Sequence, residues 1–187
     1  MGACCSSENQ SRVDAKEARF NFAQLQNQVE ENSNKDYMTG FSIEDFNLFK
    51  EKAHKITTNN NLVNELYKKL GAYPYNPNAM NTHTIRELKE STEIEQGMHY
   101  YGYWNSNKTE RDGYGVMIWP DGSRYDGMWE RNKENGHGRL INANGDVYIG
   151  EWVDDEANGK GEYHHQDGAV YIGCWKDDKQ EGTGVET

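Results

Sequence analysis

Gly2, Cys4 and Cys5 are the residues of this chain best placed for covalent chemistry, in the run Met1-Gly2-Ala3-Cys4-Cys5-Ser6. Removal of Met1 would leave Gly2 with an N-terminal amine for an amide-linked myristoyl chain, and the serine at position six completes that acceptor pattern. One myristoyl chain holds a protein on a bilayer only marginally, so a second signal is needed. A basic patch does not supply it, because residues 2–30 carry Arg12, Lys16 and Arg19 against Glu8, Asp14, Glu17 and Glu30. Thioester acylation of Cys4 and Cys5 is therefore the expected second anchor. The remaining chemistry-bearing side chains are dispersed. His54, His83, His99 and His137 stand far apart, and the neighbours His164 and His165 point to opposite faces of a strand, where they cannot share a metal. The Gly-x-Gly pairs of this chain open strands and lack the Gly-Lys-Ser/Thr of a phosphate loop, and no acidic run has calcium-loop spacing. No enzyme activity, metal or cofactor is expected. Three cysteines, two of them adjacent, make no disulfide framework and imply a reducing compartment with Cys174 as a thiol.

The elements that would carry these groups fall into two halves. In the C-terminal half the motif Tyr-x-Gly-x-Trp returns four times: Tyr100/Gly102/Trp104, Tyr125/Gly127/Trp129, Tyr148/Gly150/Trp152 and Tyr171/Gly173/Trp175. The tyrosines are 25, 23 and 23 residues apart, and each copy is followed by a Gly-x-Gly. Alternation puts the tyrosine, glycine and tryptophan on one face of a strand, with the glycine leaving room for a ring from the neighbouring unit. Asp112-Gly113, Asn135-Gly136 and Asn158-Gly159 predict hairpin turns, with a returning strand that starts at Gly-x-Gly. Asp121-Gly122, Asn144-Gly145 and Asp167-Gly168 then link one hairpin to the next. So short a period means a stacked array in which no single unit buries its own apolar face.

This pattern resembles the MORN (membrane occupation and recognition nexus) repeat over roughly residues 97–187. The resemblance implies a single-layer open antiparallel sheet, here about eight strands, whose groove holds a protein segment. MORN arrays occur in junctophilins, some phosphatidylinositol phosphate kinases, a class of lysine methyltransferase, and flagellar and cytoskeletal scaffolds. The family name thus defines architecture more closely than function.

Upstream, capping-box spacing and helical apolar intervals predict helices over about 15–31, 43–56 and 61–70, the last ending at Gly71. Ile43, Phe46, Phe49, Ala53 and Ile56 are the expected inward face of the second, and Leu62, Leu66, Tyr67 and Leu70 that of the third. Residues 72–84 read as a linker or ordered loop, followed by a short helix around 85–91. The fold class is accordingly α+β, with an anchor segment over 1–14, a helical region and linker over 15–96, and the array over 97–187. The second and third helices are expected to cap the first hairpin.

Net charge is −11, with 11 basic and 14 acidic residues in 1–96 but 9 and 17 in 97–187. An acidic array repels nucleic acid and anionic lipid headgroups and attracts basic segments. Asp154-Asp155-Glu156 and Asp177-Asp178 are candidate attractors, or simply solvated loops. Tyr101, Tyr103, Met128, Ile149, Ile172 and Cys174 form a partly apolar stripe opposite the Tyr/Trp face and are the candidate partner-binding residues. The expected function is a lipid-anchored scaffold or adaptor for a protein partner with a basic or amphipathic segment. Its place would be the cytoplasmic face of a plasma, ciliary, flagellar or organellar membrane, or the cytoskeleton beside it. The alternatives are an anionic-lipid-binding module and a regulatory subunit of a separate enzyme.

Overall fold

Strand and helix propensities meet their hardest test just before the repeats, where a short helix is expected around 85–91 but Arg86–Glu95 pairs as a strand. The computed structural model describes residues 43–80 and 84–187. Gly2, Cys4, Cys5 and the expected helix over 15–31 lie outside those residues. Two helices, α1 (Ile43–Ala53) and α2 (Asn61–Leu70), precede nine strands. These are β1 (Arg86–Glu95), β2 (Met98–Asn105), β3 (Arg111–Ile118), β4 (Arg124–Glu130), β5 (Lys133–Ile141), β6 (Val147–Val153), β7 (Glu156–His164), β8 (Val170–Lys176) and β9 (Lys179–Glu186). They form one antiparallel sheet in strict sequence order.

β1 corrects the expectation of a helix around 85–91 and moves the start of the sheet upstream of residue 97. Its residues have good helix propensity, but pairing Glu87 with Trp104 and Leu88 with Tyr103 satisfies its backbone on β2. Tertiary pairing overrides a weak local preference. Lys89 also lies 3.9 Å from the Trp104 ring centroid, a cation–π contact. The charged side chains of β1 then occupy the sheet edge, which discourages edge-to-edge association.

The hairpin turns are displaced from their expected places. Arg131-Asn132, Asp154-Asp155 and Asp177-Asp178 all have positive φ and form two-residue turns. The Asx-Gly pairs instead lie within the returning strands. There they create bulges, so that Gly127 pairs with Gly138 while Trp129 pairs with Glu134. β5, β7 and β9 therefore begin ahead of their Gly-x-Gly.

α2 matches its expected limits. Asn60 caps it through Oδ1, which accepts from Leu62 N–H, and the Gly71 N–H closes it on the Tyr67 carbonyl. Its buried side chains are Val63 and Tyr67, while Leu62 and Leu70 are exposed, so its inward face is rotated from the one expected. α1 buries Phe46, Phe49 and Ala53, with Ile56 partly buried beyond its end, but Ile43 is exposed. Both helices pack on one face of the sheet and not on its end. α1 covers Tyr101, Tyr103 and Tyr114 together with Tyr73, Tyr75 and Met80 of the following segment, which is an ordered part of the core. α2 covers Ile141 and Val147.

A buried ion cluster lies under this cap. Arg124 donates to Asp126 through Nε (2.7 Å to Oδ2) and Nη2 (2.7 Å to Oδ1), and it also donates to the carbonyls of Ala53 and Ile56. Arg139 donates to the Gly71 carbonyl at 3.0 Å and stands 3.8 Å from Asp126, and the Tyr75 hydroxyl donates to Asp126 at 2.8 Å. The Tyr67 ring lies over both guanidiniums, 3.7 Å from Arg124 and 4.9 Å from Arg139. The strands thus hold the last carbonyls of α1 and the residue that ends α2.

Burial opposes the charge on Asp126, yet the two guanidiniums and the Tyr75 hydroxyl bring its carboxyl below the ordinary value of 3.8. A depressed carboxyl stabilises the fold above its unfolded pKa, and that contribution is lost as pH falls through the folded value. Acid unfolding monitored by near-UV circular dichroism should therefore set in below about pH 4, and Asp126→Ala should remove that acid limb. At neutral pH the same substitution leaves two buried guanidiniums unpaired and should cost about 3–5 kcal/mol in urea unfolding.

Candidate partner-binding groove

Each repeat is built around a tyrosine laid across two glycines. A Cβ on Gly127 or Gly138 would come within 2.3 Å of the Tyr125 hydroxyl oxygen. The same crowding recurs at Gly150 and Gly161 under Tyr148, and at Gly173 and Gly184 under Tyr171. In the first repeat the pair is Gly102 and Gly115, which face each other across β2 and β3 beneath Tyr100. Gly102 departs from the expected role of making room for a ring of the neighbouring unit. A Cβ there would first meet backbone, 2.5 Å from both the Gly115 Cα and the Tyr114 carbonyl oxygen, and then the hydroxyl of its own repeat's Tyr100 at 2.7 Å. The motif glycines therefore clear space for a close strand approach and for the tyrosine two residues earlier in the same strand. The reason is that the tyrosine ring folds back along its own strand, to where its hydroxyl finds a carbonyl.

The hydroxyls of Tyr100, Tyr125, Tyr148 and Tyr171 donate to the carbonyls of Tyr103, Met128, Glu151 and Cys174, each three residues on. The tryptophans stand edge-on between successive tyrosines. Tyr100 meets Trp104 at 5.4 Å and Trp129 at 5.5 Å. Tyr125 meets Trp129 and Trp152 at 5.4 Å each, and Tyr148 meets Trp152 and Trp175 at 5.0 and 5.2 Å. These edge-to-face pairs add about 0.5–1.5 kcal/mol apiece beyond area burial.

The turns are clipped to one another at the same period. Asn132 Oδ1 accepts from the Arg111 N–H, Asp155 Oδ1 from the Glu134 N–H and Asp178 Oδ1 from the Ala157 N–H, at 2.7–2.8 Å. The N–H groups of Asn132, Asp155 and Asp178 donate back to the carbonyls of those same three residues. Asp155 and Asp178 are thus structural clasps, which accounts for two members of the acidic clusters singled out above.

The repeat residues Tyr100, Trp104, Tyr125, Trp129, Tyr148, Trp152, Tyr171 and Trp175 form one buried cluster on a single face. The candidate partner-binding stripe lies on the other. Tyr101 and Tyr103 are buried beneath α1, and Met128 packs at the edge of the same cluster. Ile149 leans on the cluster formed with α2, and Ile172 lies half-buried further along the sheet. The apolar character of these first positions is thereby answered within the chain. Cys174, the one cysteine among the described residues, is buried and disulfide-bonded, which corrects the expectation of a thiol there.

A groove of about 750 Å³ runs over the Tyr/Trp face instead. Met98, Met117, Trp119 and Leu140 line one end, and Arg111, Trp129, Glu134 and Trp152 the other, with Asp155 and Asp178 at the rim. By the 23-residue register Arg111, Glu134, Ala157 and Gln180 are equivalent, each paired with its repeat's tryptophan. Arg111 lies 4.5 Å from the Trp129 ring centroid, a cation on an aromatic face. Glu134 is only 6% exposed, and no hydrogen bond or ion pair among the described residues reaches its carboxylate. Burial first, then Asp155 and Asp178, push that carboxyl up from 4.5 to about 8, against the opposing pull of Arg111. The sequence reading missed Glu134; the available signal was a charged side chain paired with a motif tryptophan.

An array of tyrosine-on-glycine hairpins sharing an aromatic ladder defines a β-hairpin repeat protein. Sequence comparison identifies the repeats as MORN repeats, matched at residues 100–124, 125–147, 148–170 and 171–187. A comparison with curated proteins finds no match.

Two outcomes follow from this geometry. Gly138→Ala should cost about 1–3 kcal/mol or more in urea unfolding, because the new methyl must displace the Tyr125 ring. Glu134 is a carboxyl with a raised folded pKa, so its contribution is intact below about pH 4.5 and is lost as pH rises through about 8. Thermal stability measured across that window should fall with pH in the native chain, and Glu134→Gln should flatten the slope.

Proposed function

We propose that this chain is a non-catalytic scaffold that binds a protein segment on the Tyr/Trp face of its MORN sheet while acyl chains hold it on a membrane. The observation that carries this reading is the division of labour between the two faces. The helices are locked over one face by Arg124, Asp126 and Arg139, while the aromatic cluster of the other contains, among the described residues, only strand side chains and Trp119. In this reading the sheet acts as a single layer with one working face. A fixed frame with a long open groove suits capture of an extended or helical segment. The acid excess of the array favours a basic segment over an anionic lipid surface. No helix among the described residues is long and apolar enough to cross a membrane, and attachment is assigned to Gly2 with one of Cys4 and Cys5. A lipid-anchored scaffold of this kind would work at the cytoplasmic face of its membrane.

The test is the intact mass of the protein purified from its own cells in detergent, without thiol reductants. One amide-linked myristoyl group with one hydroxylamine-labile acyl group is expected, because the Cys174 disulfide uses two of the chain's three cysteines. A bare or acetylated terminus would overturn the anchor and leave the groove to decide where the protein resides. Vesicle sedimentation of the unacylated chain should show no salt-sensitive binding to phosphatidylserine bilayers. Strong binding there would move the reading to direct lipid recognition.

A further inference from the structure

The groove has a chemical polarity that specifies more than a protein partner in general. Its row of tryptophan-paired positions runs from a cation at Arg111 to a carboxyl at Glu134 and then to a small residue at Ala157. Arg111 is tied down, since it donates to the Asn132 carbonyl and lies on the Trp129 ring. Glu134 has no such partner among the described residues, yet it lines the groove between the strands that carry Trp129 and Trp152. The Arg111 guanidinium pulls on Glu134 but forms no ion pair with it among the described residues, being engaged by the Asn132 carbonyl and the Trp129 ring. A carboxyl that burial keeps protonated ionises at less cost when a cation is brought to it. Beside it, Ala157 leaves the Trp152 side of the groove without a long side chain, and Asp155 and Asp178 add negative charge at the rim. At the far end Met117 and Leu140 offer an apolar floor.

We propose that Glu134 is the specificity-determining residue of the groove, receiving one lysine or arginine side chain of an amphipathic protein segment whose apolar residues lie on Met117 and Leu140. The cation inserts beside Trp129 and Trp152, whose rings add attraction to that of the carboxylate. An isolated charge pair of this kind, largely removed from water, discriminates strongly against a neutral residue at the same position of the partner. This inference rests on the reading of the Tyr/Trp face as a protein-binding groove.

A random peptide library displayed on phage, selected against the full-length protein, tests it. Selected peptides should share one basic residue next to an apolar run. Replacing that residue by norleucine should weaken binding about tenfold or more against the native protein and have little effect against Glu134→Gln. Glu134→Lys should restore binding of the peptide carrying glutamate at that position. Zero-length carbodiimide cross-linking should join Glu134 to the peptide lysine. Peptides that bind in the groove without a shared basic residue, or that lose equal affinity against native and Glu134→Gln protein, would overturn the role of Glu134 and leave the groove intact as a protein site. Selection of no groove-binding peptide would overturn both. A cross-link from Glu134 to Lys16 of the same chain would replace the external partner by the chain's own N-terminal segment.

Discussion

The sheet depends on one steric condition, that a tyrosine ring can lie directly on the backbone of two neighbouring strands. Only glycines at both places allow it, since a methyl carbon on either Gly127 or Gly138 would come within 2.5 Å of atoms of the Tyr125 side chain, well inside van der Waals contact. Once the ring is down, its hydroxyl reaches the Met128 carbonyl at the point where the ladder shifts register. The bulge, the Trp129 and Trp152 edges against the ring, and the two-residue turn beyond it all follow from that placement. Because tryptophans such as Trp129 and Trp152 touch the tyrosines of two successive repeats, no repeat is complete without its neighbour. Stability and linear growth of the array therefore have the same origin.

A sheet with such a ladder has one face committed to aromatic packing, and the fate of the other face is decided by Arg124, Asp126 and Arg139. Burying two guanidiniums and a carboxylate is expensive on desolvation grounds, and an apolar interface of equal volume would hold as well. What the charges add is direction. Arg124 recognises the Ala53 and Ile56 carbonyls, and Arg139 the Gly71 carbonyl, so the helices dock with their C-terminal ends at fixed points. At its other end α2 is held by Asn60 donating to the Ala143 carbonyl, and Asn59 just before it donates to the Pro120 carbonyl. The cap is thus registered on the first repeats by polar contacts at several points, and its apolar residues fill the space between.

Most of the architecture could be read from residue order, because the period is carried by residues with strong steric meaning. Tyr, Gly and Trp at alternating positions dictate a strand and a common face, and Gly71 marks the end of α2 by capping chemistry. What could not be read depended on partners distant in sequence. β1 has helix-forming residues and becomes a strand only because β2 offers it an edge. Gly102 was legible as a place for a ring, but whose ring it serves depends on how Tyr100 folds back over β3. The Asx-Gly pairs carry the positive φ expected of turns, but a bulge uses that conformation as well as a hairpin does. Asp126 occupies the position that holds Tyr101, Ile149 and Ile172 in the other repeats. A charge among apolar equivalents pointed to a buried partner, and Arg139, its cross-strand neighbour, was the place to look. Chemistry at Gly2, Cys4 and Cys5 is legible only as a local pattern.

The array separates the residues that make the frame from those that distinguish one repeat from the next. Tyr, Gly and Trp are the same in every copy and are consumed by packing, so they cannot select a partner. The positions paired with the tryptophans differ in every copy, as Arg, Glu, Ala and Gln, although the backbone presents them identically. Identical presentation means that differences in charge and volume along this row become differences in the groove itself. A repeat protein can in this way hold a constant scaffold while one row of side chains, two strands apart at each step, sets what the groove accepts. Of that row, Glu134 alone is a deeply buried carboxyl, and in the proposed reading the preference of the groove is concentrated there.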